Sequence, residues 1–164
     1  MPLTNEEIVE VINSYNLLDI EKVNKLNRSQ IVSLFQDLKI PLTDQQKDVI
    51  INGMLACNQK ATLNNCINII SCLHDHDDLG ILKICFRGID QRRTRKVNLD
   101  QAVEISQVIG KPMTKEDLSK SIPSNISKEF TFSDLSKLIL GINIPENADP
   151  FNGIEDRSAC CYIC

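Results

Sequence analysis

Residues 86–114 read FRGIDQRRTRKVNLDQAVEISQVIGKPMT, and residues 15–43 read YNLLDIEKVNKLNRSQIVSLFQDLKIPLT. At a constant offset of 71, Tyr15 meets Phe86, Leu18 meets Ile89 and Asp19 meets Asp90. Leu26 then meets Val97, Asn27 meets Asn98, Gln30 meets Gln101 and Leu34 meets Ile105. Leu38 meets Ile109, Pro41 meets Pro112 and Thr43 meets Thr114. Ten like pairs without a gap mark a duplicated unit, and a duplication governs how every other segment is read.

Each copy has the pattern of a helix, a polar loop and a second helix. Val11, Ile12, Tyr15 and Leu18 keep a helical period, as do Leu82, Cys85, Phe86 and Ile89. After the loops come Ile31, Leu34, Phe35 and Leu38 in one copy, and Ala102, Ile105, Val108 and Ile109 in the other. Thr4 with Glu7, Asn27 with Gln30 and Asn98 with Gln101 have capping-box spacing. Pro41 and Pro112 fall just past a helix end, and Thr43 and Thr114 are placed to cap the helix that follows.

Weaker copies cover roughly 44–73, with a loop centred on Leu63, and roughly 115–141, with a loop centred on Phe130 and a short helix before it. The expected fold class is all-α, with strands limited to short pairings at Leu26, Leu63, Val97 and Phe130. The expected organisation is an N-terminal pair of units (1–74), a linker (75–80), a C-terminal pair (81–144) and a flexible Cys-rich tail (145–164).

Composition narrows the function. The net charge is -4 and Trp is absent, so neither a basic patch nor a base-stacking platform argues for nucleic acid. No apolar run approaches the roughly 20 residues of a membrane span. The N-terminus lacks the basic start and apolar stretch of a signal peptide, and Pro2 excludes the usual myristoylation signal. A reducing, cytoplasmic setting is therefore expected, with Cys57, Cys66, Cys72 and Cys85 acting as small buried hydrophobes. No phosphate loop, nucleophile elbow or catalytic set occurs, so no enzyme is expected. The histidines, His74 and His76, sit in Cys72-Leu73-His74-Asp75-His76-Asp77-Asp78. That run has zinc-ligand chemistry, but its place between the halves favours a solvated linker, with Asp77 or Asp78 capping the next helix.

Phe86 to Asp90, Val97, and Ile109 to Thr114 resemble the third EF-hand of calmodulin; Leu18-Asp19 through Leu26, then Leu38 and Thr43, resemble the first. The resemblance spans about residues 4–142 and implies two calmodulin-like EF-hand pairs. An EF-hand loop has 12 residues, with oxygen ligands at positions 1, 3, 5, 7 and 9, Gly at 6 and a bidentate Glu at 12. Set in that frame, the first loop keeps Asp19, Glu21 and Asn27 but has Val23 at position 5 and Gln30 at 12. The second, aligned on Leu63, runs from Ala56 to Ile67 without a carboxylate. The third keeps Asp90, Thr94 and Asn98 but has Arg92 at position 3, Arg95 at 6 and Gln101 at 12. Its four basic side chains outweigh Asp90 and Asp100, leaving it net positive. A basic side chain is expected to replace the metal there by bonding Asp90 and loop carbonyls. The fourth, from Pro123, keeps Asp134. Affinity in this family follows ligand charge, so no cofactor is expected, and calcium at most weakly.

The resemblance implies a groove for an amphipathic helix, lined here by Phe35, Leu38, Met54, Ile70, Phe86, Ile105, Ile109 and Leu138. Calmodulin-like grooves are rich in Met; this chain has three Met, with Ile and Leu in their place. Myosin light chains are similar in losing loop ligands. The function expected is thus a light-chain-like, largely calcium-independent subunit bound to a basic helix, of IQ-motif or similar type. The alternative is a calcium sensor or buffer with one weak site.

At the end of the sequence, Cys161-Tyr162-Ile163-Cys164 resembles a prenylation box, with Cys160 placed for a second lipid. A membrane-tethered protein at an inner membrane face is one expectation. A Cys-x-x-Cys metal or redox pair and an inert Cys-rich end are the others.

Overall fold

A computed structural model describes residues 2–56, 59–121 and 128–152. The helices are α1 (Asn5–Leu18), α2 (Arg28–Asp37), α3 (Asp44–Met54), α4 (Leu63–His74), α5 (Asp78–Ile89), α6 (Leu99–Val108), α7 (Lys115–Lys120) and α8 (Phe132–Leu135). A π-helical turn, Ser136–Leu140, extends α8 and stops at Gly141, whose φ is 70°. Such a left-handed residue is the usual end of a helix. Two short strands, β1 (Val97–Asn98) and β2 (Glu129–Phe130), complete the set among the described residues. The chain is predominantly helical.

Polar caps fix the helix starts. Capping boxes form at Thr4/Glu7, Asn27/Gln30, Thr43/Gln46 and Thr62/Asn65. They recur at Asn98/Gln101, Thr114/Asp117 and Thr131/Asp134. α5 starts differently: the Asp77 carboxylate accepts the Gly80 N–H at 3.0 Å.

The helix–loop–helix units are joined loop to loop. Val97 pairs antiparallel with Phe130. Leu26 and Ala61 exchange two backbone hydrogen bonds of 2.8 Å. The sequence reading places the second pairing residue at Leu63, whereas the structure places it at Ala61. Thr62 is the N-cap, so Leu63 is already the first helical residue and is partly buried against the core. The second loop therefore runs 54–65 in the register of the others.

The two halves do not stand apart. One buried core takes Val11, Tyr15, Ile31 and Leu34 from the first half and Leu82, Phe86, Ile105 and Leu135 from the second. α3 lies across α5 at a crossing that only glycine permits. A Cβ on Gly88 would sit 2.1 Å from the Val49 carbonyl oxygen, and one on Gly53 would sit 2.1 Å from that of Ile84. The Gln46 amide donates to the Val108 carbonyl at 2.8 Å, tying α3 to the end of α6. The connection between halves is short: α4 ends at His74 and α5 begins at Asp78.

Residues 145–152 carry no helix but are held against the second half. Ile144 and Ala148 pack on the core. The buried Arg87 guanidinium donates to the Pro150 and Asn152 carbonyls. The stretch expected to begin a flexible tail is thus a strap across α5 as far as Asn152.

Candidate functional site

The first and third loops have the same backbone. Lys22 and Asn24 have φ of 53° and 57°, and Arg93 and Arg95, at the same loop positions, have 55° and 62°. Left-handed backbone at a non-glycine residue is uncommon, so its recurrence is a structural signature of the duplication. In each loop the first carboxylate is buried and turned inward. Asp19 accepts the Val23 N–H at 3.0 Å and the Asn24 N–H at 2.8 Å. Asp90 accepts the Thr94 N–H and hydroxyl, both at 2.9 Å, and the Arg95 N–H at 2.7 Å.

The last loop position serves the following helix. Gln30 accepts the Asn27 N–H at 2.9 Å and donates to the Leu18 carbonyl at 2.7 Å. Gln101 accepts the Asn98 N–H at 2.9 Å. Glutamine keeps this cap as well as glutamate does, while giving up the charge that a hard cation needs. Glu21 points to solvent. Asn27 and Asn98 are helix N-caps. Apart from Glu21, the expected metal-ligating residues therefore hold the loop and the next helix.

Asp90 is held by loop amides and Thr94, rather than by a substituting basic group. The basic side chain that bonds a carbonyl of its own loop is Arg95, which donates to Arg93 O at 3.3 Å. Its carboxylate partner comes from the strap: two Arg95 nitrogens lie 3.0 Å from Asp149 Oδ2. Phe151 lies under both guanidinium groups, 5.9 Å from that of Arg93 and 5.7 Å from that of Arg95. Burial pushes the Asp149 carboxyl up, but the Arg95 bond and the Phe151 N–H outweigh it and hold the group below the usual carboxylate range. Arg93 donates to the Ala56 carbonyl at the start of the second loop.

Five of the eight expected groove residues, Phe35, Met54, Ile70, Phe86 and Ile105, are buried in the core. Leu38, Ile109 and Leu138 are half-buried against it. The expected groove is thus filled by the protein's own packing, with Phe86 edge-on to Phe132 at 6.0 Å. A cleft of about 130 Å³ remains between α4 and α5. Met54, Ile69 and Ile84 give it an apolar lining, and Asn65, Asn68, Cys72, Lys83 and Arg87 add polar groups. Burial and the neighbouring Arg87 lower the Lys83 pKa, against the opposing pull of Asp149. A second, polar cleft of about 460 Å³ lies between α3 and α6, lined by residues including Asp48, Gln101 and Glu104. Of the first cleft, the sequence reading found only Met54. Ile69 and Ile84 aside, its other residues are polar or small, and periodicity gives no cue to them.

Burial pushes the Cys66 and Cys85 thiols up to about 12, and burial with Asp77 pushes Cys72 up to about 11. These are packing cysteines rather than nucleophiles. His74 turns to Glu7 and Asp75, each at 3.4 Å. Among the described residues no three His, Cys, Asp or Glu side chains come together as a metal site. No helix among them is long and apolar enough to cross a membrane. Cys57, Cys160 and Cys161 lie outside the described residues, as does the start of the fourth loop.

No family model matches the chain. No curated protein matches it. Among solved structures, a chain of a TREX2 CID domain complex from Chaetomium thermophilum is similar over 85% of this chain and 92% of that one, at 15% identity and a TM-score of 0.38. A likeness that loose has no bearing on family or function.

Proposed function

We propose that this chain is a calmodulin-like EF-hand protein whose loops close without calcium, and that it serves as a light-chain-like subunit for a basic amphipathic helix of a partner protein. One observation carries most of the weight: in both duplicated loops the first carboxylate is spent on loop amides and the last position is a capping glutamine. A loop closed from within has no need of a cation to hold its shape, and the third loop's positive charge opposes one. What remains is a helical body with a small cleft of about 130 Å³ that has apolar walls and a few polar groups. Helix recognition rests on anchors of that kind.

The test uses fluorescently labelled basic amphipathic helical peptides and the full chain. Affinity should be equal in calcium and in chelator, and Asn68→Trp, which fills the cleft, should weaken it in both. Failure of every such peptide to bind under either condition would overturn the proposal. A weak calcium site in the first loop is the competing function, favoured by the side-chain oxygens that remain at Asp19, Glu21 and Asn27.

A further inference from the structure

Five large hydrophobic side chains are exposed among the described residues, and three of them fall within one short stretch at the tip of the first unit. Leu17 is 78% exposed, Ile20 82% and Val23 46%. The fold itself supplies the control. At the offset of 71, these positions are Gly88, Gln91 and Thr94, and the third loop adopts the same positive-φ backbone with them. Apolar side chains are therefore not required to build the loop, and something other than folding accounts for Ile20 and Val23.

The loops form one end of the molecule through a chain of contacts. Leu26 pairs with Ala61, Arg93 reaches Ala56, and Val97 pairs with Phe130. On that end the carboxylates of Asp19 and Asp90 are buried. Lys22, Lys60 and Arg92 are exposed and Lys25 is partly so, with Glu21 as the exposed carboxylate of the first loop. Counting Arg95 and Lys96 among the bases and Asp100 and Glu129 among the carboxylates, exposed bases still outnumber exposed carboxylates on the loops, although the whole chain is at -4. Neither cleft includes Leu17, Ile20 or Val23.

We infer that the loop end of this protein docks on an anionic lipid surface. Leu17, Ile20 and Val23 enter the boundary between headgroups and acyl chains, while Lys22, Lys25, Lys60 and Arg92 lie at the level of the lipid phosphates. Protruding apolar side chains on an end that also exposes lysine and arginine suit a fluid, negatively charged interface. The long lysine stems can lie along the apolar layer with the ammonium groups in the headgroups. This docking needs no calcium and no covalent lipid, and it is separate from the helix-binding cleft.

The experiment is co-sedimentation of the full chain, made in bacteria, with phosphatidylcholine vesicles that contain or lack phosphatidylserine, in chelator. Binding should require phosphatidylserine and should fall steeply with added salt, as screening demands. The double variant Ile20→Asp, Val23→Asp should bind at least about tenfold more weakly. Lys22→Glu and Lys60→Glu should each lose about fivefold or more. Val9→Asp, at an exposed apolar position within α1, should bind as the parent does, and circular dichroism should show every variant folded. No sedimentation with phosphatidylserine vesicles would overturn the inference, as would undiminished binding by the folded double variant. A parent dimer in solution that Ile20→Asp dissolves would also overturn it, because the patch would then be an interface between copies.

Discussion

The first and third loops are one design with two finishes. Both bury an aspartate at position 1, both pass through positive φ at positions 4 and 6, and both end on a capping glutamine. The first loop then turns Ile20 and Val23 out to solvent. The third turns out Arg92, and its Arg95 and Arg93 contact the strap residues Asp149 and Phe151. The comparison separates what the scaffold demands from what each rim adds. The inward aspartate and the capping glutamine are shared and hold the loop. The outward side chains differ, and those are where partners and regulation can act.

The largest expected effect tests whether the two loops belong to one body. Gly88→Val would drive a side chain into the Val49 carbonyl at the α3–α5 crossing. It should cost about 3 kcal/mol or more, and the parent should unfold in denaturant as a single transition. Two separate transitions in the parent would mean that the halves are independent and that their loops need not share an end.

Truncation after Ile144 comes next. It removes the Pro150 and Asn152 acceptors of the buried Arg87 together with the Asp149 partner of Arg95. A loss of about 2 kcal/mol is expected. Hydrogen exchange should quicken at the Thr94 and Arg95 amides and stay unchanged at those of Val23 and Asn24. Equal quickening in both loops would erase the distinction between the strapped loop and the open one.

The substitutions at position 6 should have opposite signs. Asn24→Gly relieves a left-handed residue that holds the loop through its backbone N–H, and it should stabilise by a few tenths to about 1 kcal/mol. Arg95→Gly relieves the same backbone but loses Asp149 and the Phe151 face, so it should destabilise by about 1 kcal/mol. Thermal unfolding of the pair would read both signs.

The smallest effect is in pH. The Asp149 pKa is depressed in the folded protein, so its contribution is present above the ordinary aspartate value of about 4 and is lost as pH falls through the folded value. The parent should therefore lose slightly more stability on acidification than Asp149→Asn, by up to about 1 kcal/mol. Identical acid profiles would show that the strap's ion pair contributes nothing.

Much of this fold could be read from the sequence where local chemistry decides it. The helical periods, the Asn27/Gln30 and Asn98/Gln101 boxes, an aspartate cap at Asp77 or Asp78 and pairing positions at Leu26, Val97 and Phe130 follow from local patterns, while the choice of partner in each pairing is made by the fold. The second loop misled because its pairing residue is the small Ala61, while the larger Leu63 two positions on looked like the hydrophobic peg. Nothing local singles out Gly53 and Gly88, since their value lies in a crossing made by residues far apart in sequence. The strap has no periodicity to announce it, and Arg87 grips it through backbone carbonyls that any residues would supply. The groove is implied by the resemblance, and apolar positions in a sequence cannot tell a face left open for a partner from one covered by the other half of the chain.

Calorimetric titration of the full chain with calcium, with circular dichroism and thermal unfolding in parallel, tests the central claim most directly. If the loops are closed from within, there is no micromolar isotherm, and millimolar calcium leaves the helix signal and the melting temperature unchanged. A micromolar isotherm that Asp19→Ala abolishes would contradict the account and make the first loop a working calcium site.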